Sequence, residues 1–418
     1  MSISKSVKKV KGRYMRMNKY LFIGLVGMLL ASLGFLAGFH YWLEPQYEKV
    51  MAELNKEISS QKKTSQKWEH LYQQKIAENS GDKEGKKEQL IPKKKIEPVN
   101  ELASQMEKVL KSNQFVGTAI FFQNNQPLLA KSYGQANQRL NLSNQLDTPY
   151  FVGSVQKGMT GVLVMKLIEN GQLSFDTPLN KFYPEVPNSD TITIRSLLDM
   201  TSGLTLKETS QSFATEKEYL AYALKHVTYE PLEKWKYESV NYTLLASIIE
   251  KVTGKSYQAY FREVLIEPLQ LFQTGFYTDL KQEELVTQGY LLGENHVAKQ
   301  VPFKPSTFTK EMGTGDIYMT VSDLLRFYQG LASGKVLTPL SLSLLREKTT
   351  KPYTYYYQGG MYVSGDTLYS HGVISGFETS VRLNKDVSKG VILITNERNP
   401  KNSIHRYSKD LYNMLSQK

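Results

Sequence analysis

A serine and a lysine stand one helical turn apart at positions 154 and 157, in the tetrapeptide SVQK. The tetrapeptide opens an apolar helix predicted over residues 155–170, which puts the Lys157 amine within reach of the Ser154 hydroxyl. The start of a helix also points backbone N–H groups toward the serine, where they can stabilise an oxyanion. Because such a lysine can take the serine proton, the spacing predicts acyl transfer through an activated serine. The alternative is a helix-capping serine followed by a surface lysine, which is a common arrangement.

Other Ser-x-x-Lys patterns lie in lysine-rich parts of the chain, where composition alone produces them. They begin at Ser2, Ser6, Ser59, Ser60 and Ser80. The pattern at Ser154 differs because it follows a short apolar segment and opens an apolar helix. We therefore take Ser154 as the candidate nucleophile.

Several other kinds of reactive site are missing from the sequence. The chain has no cysteine, which excludes disulfides, zinc–thiolate sites, iron–sulfur clusters and a cysteine nucleophile. It has no HExxH motif and no G-x-S-x-G nucleophile turn, and its six histidines lack metal-ligand spacing. The GKS tripeptide at 254–256 lacks the first glycine of a phosphate-binding loop, since position 249 is isoleucine. We expect neither a metal nor a cofactor.

The residues around Ser154 resemble a known family. The decapeptide FVGSVQKGMT at 151–160 is similar to the nucleophile segment of the serine penicillin-recognising family, in particular its class C β-lactamase and DD-peptidase branch. Further segments resemble that family in the same order, at 169–178, 194–204 (with Met200 where histidine is usual), 235–245, 254, 359–362 and 376–377. The resemblance covers about residues 100–416, and the combination is specific although no single segment is.

The resemblance implies a role for each matching residue. Ser154 would be the acylated nucleophile, Lys157 the base that activates it, and Tyr237 a second proton carrier that relays to the leaving group. The backbone N–H of Ser154 would supply one oxyanion donor. The alternative for Tyr237, one of 27 tyrosines, is ordinary core packing.

Two positions depart from the family pattern. The third residue of its Y-x-N motif is Ser239 instead of asparagine, and a hydroxyl offers a substrate amide fewer donors. The family's Lys/His-x-Gly motif has two possible registers here. Starting it at His371 puts Val373 where glycine is needed, whereas Ser370-His371-Gly372 keeps the glycine and replaces the basic residue with serine.

We favour the second register on steric grounds, with the second oxyanion N–H supplied by Val373. In an ideal strand His371 would then face away from the site, which leaves its role open.

These departures affect the expected substrate, because in this family the basic residue and the asparagine hold the carboxylate and amide of a D-Ala-D-Ala terminus or a β-lactam. The pattern is closest to teichoic-acid D-alanyl esterases, so we expect a hydrolase that removes D-alanyl groups from teichoic or lipoteichoic acid. The rival hypotheses are a low-activity DD-carboxypeptidase or penicillin-binding protein acting on peptidoglycan stem peptides, and a catalytically silent surface scaffold.

The elements that must position these residues indicate an α+β fold, an α/β sandwich, which the resemblance implies to be of the β-lactamase/transpeptidase type. Strands are predicted at both ends of the domain, at 117–122, 127–133, 359–363, 366–370, 376–383 and 389–396. Helices are predicted at 100–112, 155–170, 194–201, 216–226, 239–253, 257–268, 320–332, 339–347 and 404–416. Strands at both ends imply an antiparallel sheet built from N- and C-terminal segments, flanked by helices and carrying a helical insert.

The composition of the N-terminal quarter predicts a membrane anchor followed by a spacer. Residues 1–20 form a basic tail, and the apolar run 21–43 is long enough to cross a bilayer of about 30 Å. The first 43 residues carry seven Lys or Arg and no Asp or Glu, which predicts a cytoplasmic N-terminus. Residues 44–99 have the composition of a helical or disordered stalk and linker, and 100–418 form the hydrolase domain.

We therefore expect a single-pass protein of the cell membrane with an extracellular catalytic domain, the alternative for residues 21–43 being a cleaved signal peptide. The net charge of +12 is concentrated in the tail, since residues 116–418 carry only +3. A nucleic-acid partner is accordingly not expected.

Overall fold

The computed structural model describes residues 94–231, 234–280, 287–293, 297–348 and 357–416, together with residues 46, 48, 49, 52, 91 and 92. Within these residues no helix combines the length and apolar character needed to cross a membrane. The predicted anchor at 21–43 lies outside the described residues, as does most of the predicted stalk. The described residues from 91 onward belong to one compact unit.

The strands are short apart from those of one large sheet. In chain order they are Gly117–Gln123 (β1), Gln126–Tyr133 (β2), Gln135–Asn137 (β3), Leu142–Ser143 (β4), Tyr150–Phe151 (β5), Leu204–Thr205 (β6), Thr228–Tyr229 (β7), Gly275–Phe276 (β8), Tyr290–Leu292 (β9), Ala298–Gln300 (β10), Ile317–Met319 (β11), Tyr357–Gln358 (β12), Met361–Ser364 (β13), Thr367–Ile374 (β14), Phe377–Asn384 (β15), Gly390–Thr395 (β16) and Glu397–Arg398 (β17).

The α-helices of the described residues fall mostly between the two groups of long strands. They are Glu101–Ser112 (α1), Gln156–Glu169 (α2), Ile194–Leu198 (α3), Glu216–His226 (α4), Val240–Thr253 (α5), Tyr257–Phe261 (α6), Glu267–Leu269 (α7), Pro305–Phe308 (α8), Val321–Ala332 (α9), Pro339–Leu345 (α10) and Ile404–Met414 (α11).

The large sheet joins the two ends of the domain, as expected. Its order is β12-β13-β14-β15-β16-β1-β2, and each neighbouring pair is antiparallel. Strand β1 pairs with β16, with Thr118 opposite Ile394. The β1–β2 turn contains Asn124 and Asn125, both with positive φ, a conformation that asparagine tolerates better than most residues. The α+β prediction with an antiparallel sheet is confirmed.

Side chains alternate between two cores on the faces of this sheet, as the period of a strand requires. Ala119 and Phe121 of β1 join the outer core, formed with α1 and α11. Ile120 and Phe122 join the larger inner core, which contains α2 and most of the other helices. Eleven of the fourteen residues of α2 are buried, so this helix runs through the interior instead of along the surface.

The structure also differs from the predicted elements. Ile96 exchanges backbone hydrogen bonds with Ala130 of β2, so the last residues of the predicted linker belong to the folded domain. The helix predicted at 257–268 is interrupted by a π-helical turn at Arg262–Ile266. Small sheets such as β5-β11-β8 were not predicted, because strands of two or three residues are too short to show a period.

Candidate active site

Ser154 lies in a short 3-10 turn, Gly153–Val155, between strand β5 and helix α2. Strand β5 is fixed by β11, with Phe151 opposite Tyr318. Gly153 has a φ of +54°, and a methyl group on it would lie 2.7 Å from the amide nitrogen of Val373. Only glycine satisfies both the left-handed backbone and this close approach. The turn therefore brings the serine against strand β14.

Lys157 is fully buried and its amine lies beside the serine. Its Nζ donates to Ser154 Oγ at 2.9 Å and to the carbonyl oxygen of Thr314 at 3.2 Å. The helical spacing alone predicts the first contact, whereas the second comes from a segment 157 residues further along the chain. The carbonyl fixes the amine at hydrogen-bond distance from the hydroxyl, which is the geometry that proton transfer between them requires.

Tyr237 lies just before helix α5 and faces the same amine. The Lys157 Nζ is 5.2 Å from the centre of the Tyr237 ring. The ring packs edge-on against Trp235 and Tyr357, with centroid distances of 6.2 Å and 5.8 Å. The Trp235 indole in turn donates to the carbonyl oxygen of Asp199 at 3.0 Å. An aromatic cluster thus holds the Tyr237 ring beside the Lys157 amine.

Strand β14 forms the wall opposite the nucleophile. Strand β13 pairs with it only at Thr367, Leu368 and Tyr369, so the following residues present an edge that β13 does not cover. Gly372 lies on this part of the strand, and a methyl group on it would lie 2.0 Å from the Val152 carbonyl oxygen and 2.8 Å from the Ser154 amide nitrogen. The Ser154 turn therefore packs directly on Gly372, which agrees with the register Ser370-His371-Gly372.

The comparisons with known proteins agree with this geometry. Residues 102–412, about three quarters of the chain, match the family model described as Beta-lactamase. The chain belongs to the β-lactamase family. PbpX, a candidate penicillin-binding protein of Bacillus subtilis (strain 168), is 29% identical over 314 residues, covering 74% of this chain and 77% of PbpX.

Two further similarities come from Staphylococcus aureus. Its teichoic acid D-alanine hydrolase is 27% identical over 281 residues, which cover 66% of this chain and 70% of that protein. The crystal structure of FmtA superposes with a TM-score of 0.69 at 24% identity, covering 82% of this chain and 94% of that one. This structural likeness shows that the two share a fold. Together with the family match, the relatives identify the β-lactamase-family chain as a serine hydrolase.

Two of the predicted site residues in this β-lactamase-family protein, His371 and Ser239, are oriented differently from the residues that contact the turn of the nucleophile. Side chains alternate along β14, so His371 points to the opposite face from Ser370 and Gly372. There its Nε2 lies 2.8 Å from Glu378 Oε1, and its ring is 4.6 Å from that of His405. Ser239 is exposed immediately before α5 and its side chain makes no capping hydrogen bond.

The pKa values of the groups behind β14 are shifted by their surroundings. Burial alone would raise the pKa of Glu378, but hydrogen bonds from His371 and Ser403 bring it below its usual value. Burial lowers the pKa of His405 to about 4, assisted by the nearby charges of His371 and Arg382. This cluster supports the strand from its outer face and does not reach the nucleophile.

Sequence reasoning missed the segment from Glu311 to Asp316. The Thr314 carbonyl binds Lys157, and Gln156 Nε2 donates to Asp316 Oδ1 at 2.5 Å. Asp316 is fully buried, and that burial raises its pKa well above the usual range. The signal was the pattern Gly-x-Gly at 313–315, since glycines ahead of a strand often mark a close approach of two backbones.

Proposed function

We propose that this protein is a membrane-anchored, extracellular serine hydrolase that removes D-alanyl groups from teichoic or lipoteichoic acid. The observation that carries the proposal is Ser370, which is buried on the inner face of β14, two residues from the glycine that contacts the Ser154 turn. A neutral hydroxyl there gives no ion pair to a substrate carboxylate. A D-alanyl ester has no such carboxylate, whereas a D-Ala-D-Ala terminus does.

The proposed reaction runs through an acyl-serine. Ser154 Oγ attacks the ester carbonyl carbon while Lys157 takes the hydroxyl proton. The amides of Ser154 and Val373 stabilise the oxyanion of the tetrahedral intermediate, since both lie at the junction of the turn with β14. The carbon–oxygen bond to the polymer then breaks, and Tyr237 relays the proton to the departing alkoxide. Water attacks the acyl-serine by the reverse path and releases D-alanine.

Ester chemistry is also supported by Ser239 and by the relatives. An exposed hydroxyl at Ser239 binds a substrate amide less well than asparagine would, since it offers fewer hydrogen-bond donors. One relative is named a teichoic acid D-alanine hydrolase, and a substrate of that kind fits the neutral wall of this site.

The membrane part of the proposal rests on the N-terminal sequence. The apolar run 21–43 follows seven Lys or Arg residues, and the polar residues after it would hold the domain away from the membrane. Protease added to intact cells should therefore degrade the hydrolase domain. Full protection of the domain under those conditions would contradict an extracellular location.

The activity is tested with the full-length chain in detergent, incubated with D-alanylated lipoteichoic acid while D-alanine release is followed. We expect release by the wild-type protein and none by Ser154→Ala. Release by both proteins would remove Ser154 as nucleophile. Hydrolysis of D-Ala-D-Ala peptides without ester hydrolysis would favour a carboxypeptidase, and inactivity on both substrates would favour a scaffold.

A further inference from the structure

A carboxylate that the proposed mechanism does not use lies beside the nucleophile's turn. Glu311 Oε2 accepts a hydrogen bond of 2.5 Å from the hydroxyl of Thr314, whose carbonyl holds Lys157. A methyl group on Gly315 would lie 3.0 Å from this Glu311 oxygen and 3.4 Å from the Cα of Gly153. Because both distances start from the same methyl position, their sum is an upper limit. The Glu311 Oε2 atom therefore lies no more than about 6.4 Å from the Cα of Gly153, the residue before Ser154.

The Glu311 carboxylate has no cationic partner within ion-pair distance among the described residues. No ion pair there joins it to a lysine, arginine or histidine. The adjacent Lys310 instead donates to the carbonyl oxygen of Thr209 at 2.7 Å. Glu311 is half-buried and its one described side-chain hydrogen bond comes from a neutral hydroxyl, so a cation bound beside it would gain a favourable charge interaction.

The proposed substrate supplies such a cation. A D-alanyl ester ends in a free α-ammonium group, one carbon away from the acyl carbon that Ser154 attacks. In a D-Ala-D-Ala peptide the corresponding nitrogen belongs to an amide and carries no charge. A carboxylate near the nucleophile therefore favours the ester over the peptide by charge, independently of the β14 wall.

We propose that Glu311 binds the α-ammonium group of the D-alanyl substrate and sets the specificity of the site for an unacylated D-alanyl ester. This inference rests on the proposed esterase function. Thr314 fixes one oxygen of the carboxylate, and the other oxygen receives the substrate. Because Thr314 is fully buried, the carboxylate is held in place before the substrate arrives.

The test compares two soluble esters of the same alcohol, D-alanyl and N-acetyl-D-alanyl, with full-length wild-type protein, Glu311→Gln and the control Glu185→Gln. Glu185 is an exposed carboxylate, and its loss removes the same unit of charge. We expect wild type to prefer the D-alanyl ester. Glu311→Gln should lower kcat/KM for that ester about 10- to 100-fold, mainly through KM, as loss of a charged hydrogen bond implies. The N-acetyl ester should be unaffected, and Glu185→Gln should change neither.

The remaining outcomes overturn the inference in distinguishable ways. An equal loss on both esters would make Glu311 a structural support for Thr314 and Lys157. No loss on either ester, or no preference in wild type, would remove the ammonium site while leaving the esterase intact. Hydrolysis of neither ester would overturn this inference together with the proposed function.

Discussion

The side chains around Ser154 are held by contacts from both nearby and distant parts of the chain. The Lys157 contact follows from one turn of helix, but the second acceptor of the amine belongs to the segment before β11. A fully buried lysine needs such acceptors, because an amine in an apolar core without partners is strongly unfavourable. Hydrogen bonds to the Ser154 hydroxyl and the Thr314 carbonyl offset the free-energy cost of burying the amine and position it for proton transfer.

The role of Lys157 is tested by Lys157→Met, which keeps the length of the side chain and removes the amine. Labelling of Ser154 by a fluorophosphonate should slow by about 10²- to 10⁴-fold, the usual contribution of a general base. The control Lys166→Met lies on the same helix and loses a partly exposed ion pair with Glu169 and a hydrogen bond to the carbonyl oxygen of Val336, neither of which involves Ser154, so its labelling should match wild type. Labelling of Lys157→Met at the wild-type rate would show that another group activates the serine.

The sequence predicts those site residues that sit close together in the chain and misses the ones that only the fold brings near. Ser154 and Lys157 were predictable because a helix converts their spacing into contact. Tyr237 required the resemblance, since spacing alone does not relate it to Ser154. Near Thr314 and Glu311 the Gly-x-Gly pattern at 313–315 indicates a close approach of two backbones, but it does not predict the contact of the Thr314 carbonyl with Lys157 or the position of the Glu311 carboxylate.

At the scale of elements, strand β14 combines two functions on its two faces. Its inner face packs on the nucleophile's turn through Gly372, and its outer face holds His371 against Glu378. The long strands could be predicted because apolar residues and turns repeat along them. Which edge of β14 remains open could not be predicted, because that depends on how few residues β13 contributes to the pairing.

The tight contact at Gly372 is tested by Gly372→Ala. The added methyl group would overlap the Val152 carbonyl oxygen, so the Ser154 turn must shift away from β14. Acylation of Ser154 should fall by at least about 10²-fold, since small displacements of a catalytic group are costly. The free energy of unfolding should fall by about 1 to 3 kcal/mol, as for other overpacked sites.

The matched control for this substitution is Gly293→Ala. Both glycines have ordinary φ values, but the nearest atom of the described residues to a methyl group on Gly293 is the Val297 carbonyl oxygen at 3.4 Å, so this variant should retain activity and stability. Activity of Gly372→Ala within twofold of wild type would show that the turn does not depend on this contact.

At the scale of the whole molecule, the C-terminal helix α11 is attached to the sheet through a titratable cluster. Arg382 donates to Nε2 of His405 at 3.3 Å, and Nδ1 of His405 is buried without a hydrogen-bond partner among the described residues. Ser403, which caps α11, donates to the Glu378 carboxylate. A neutral His405 suits this arrangement, because Nε2 accepts from Arg382 and a proton added to Nε2 would face that donor instead of an acceptor.

Stability should therefore fall in mild acid. The pKa of His405 is about 4 in the folded protein against 6.5 for an ordinary histidine, so between these values the unfolded chain binds a proton that the folded chain does not. The stabilisation is complete at pH 7 and is lost as the pH falls from about 6.5 to 4. After allowance for partial exposure of the ring, we expect a loss of about 1 to 2 kcal/mol.

Urea unfolding at pH 7, 5.5 and 4.5 measures this loss, and His405→Gln should remove the part that depends on the histidine. The lowered pKa of Glu378 acts in the same direction, because its stabilisation is present above its unfolded pKa and is lost as the pH falls through the lowered one. A midpoint that does not change between pH 7 and 4.5 would contradict the neutral state of His405.

The pairing of β1 with β16 has a consequence for biosynthesis. Phe122 lies opposite Gly390, so the first hairpin of the sheet is made long before the strand that completes it. At about 5 to 20 residues per second, a ribosome needs roughly tens of seconds to synthesise the intervening chain. During that interval the edge of β1 that pairs with β16 stays without its partner strand, and pairing partners this distant in sequence also slow folding after release. An unpaired strand edge of this kind favours association with other chains, and Ser154 cannot contact strand β14 until residues 367–374 have been synthesised, more than 200 residues later.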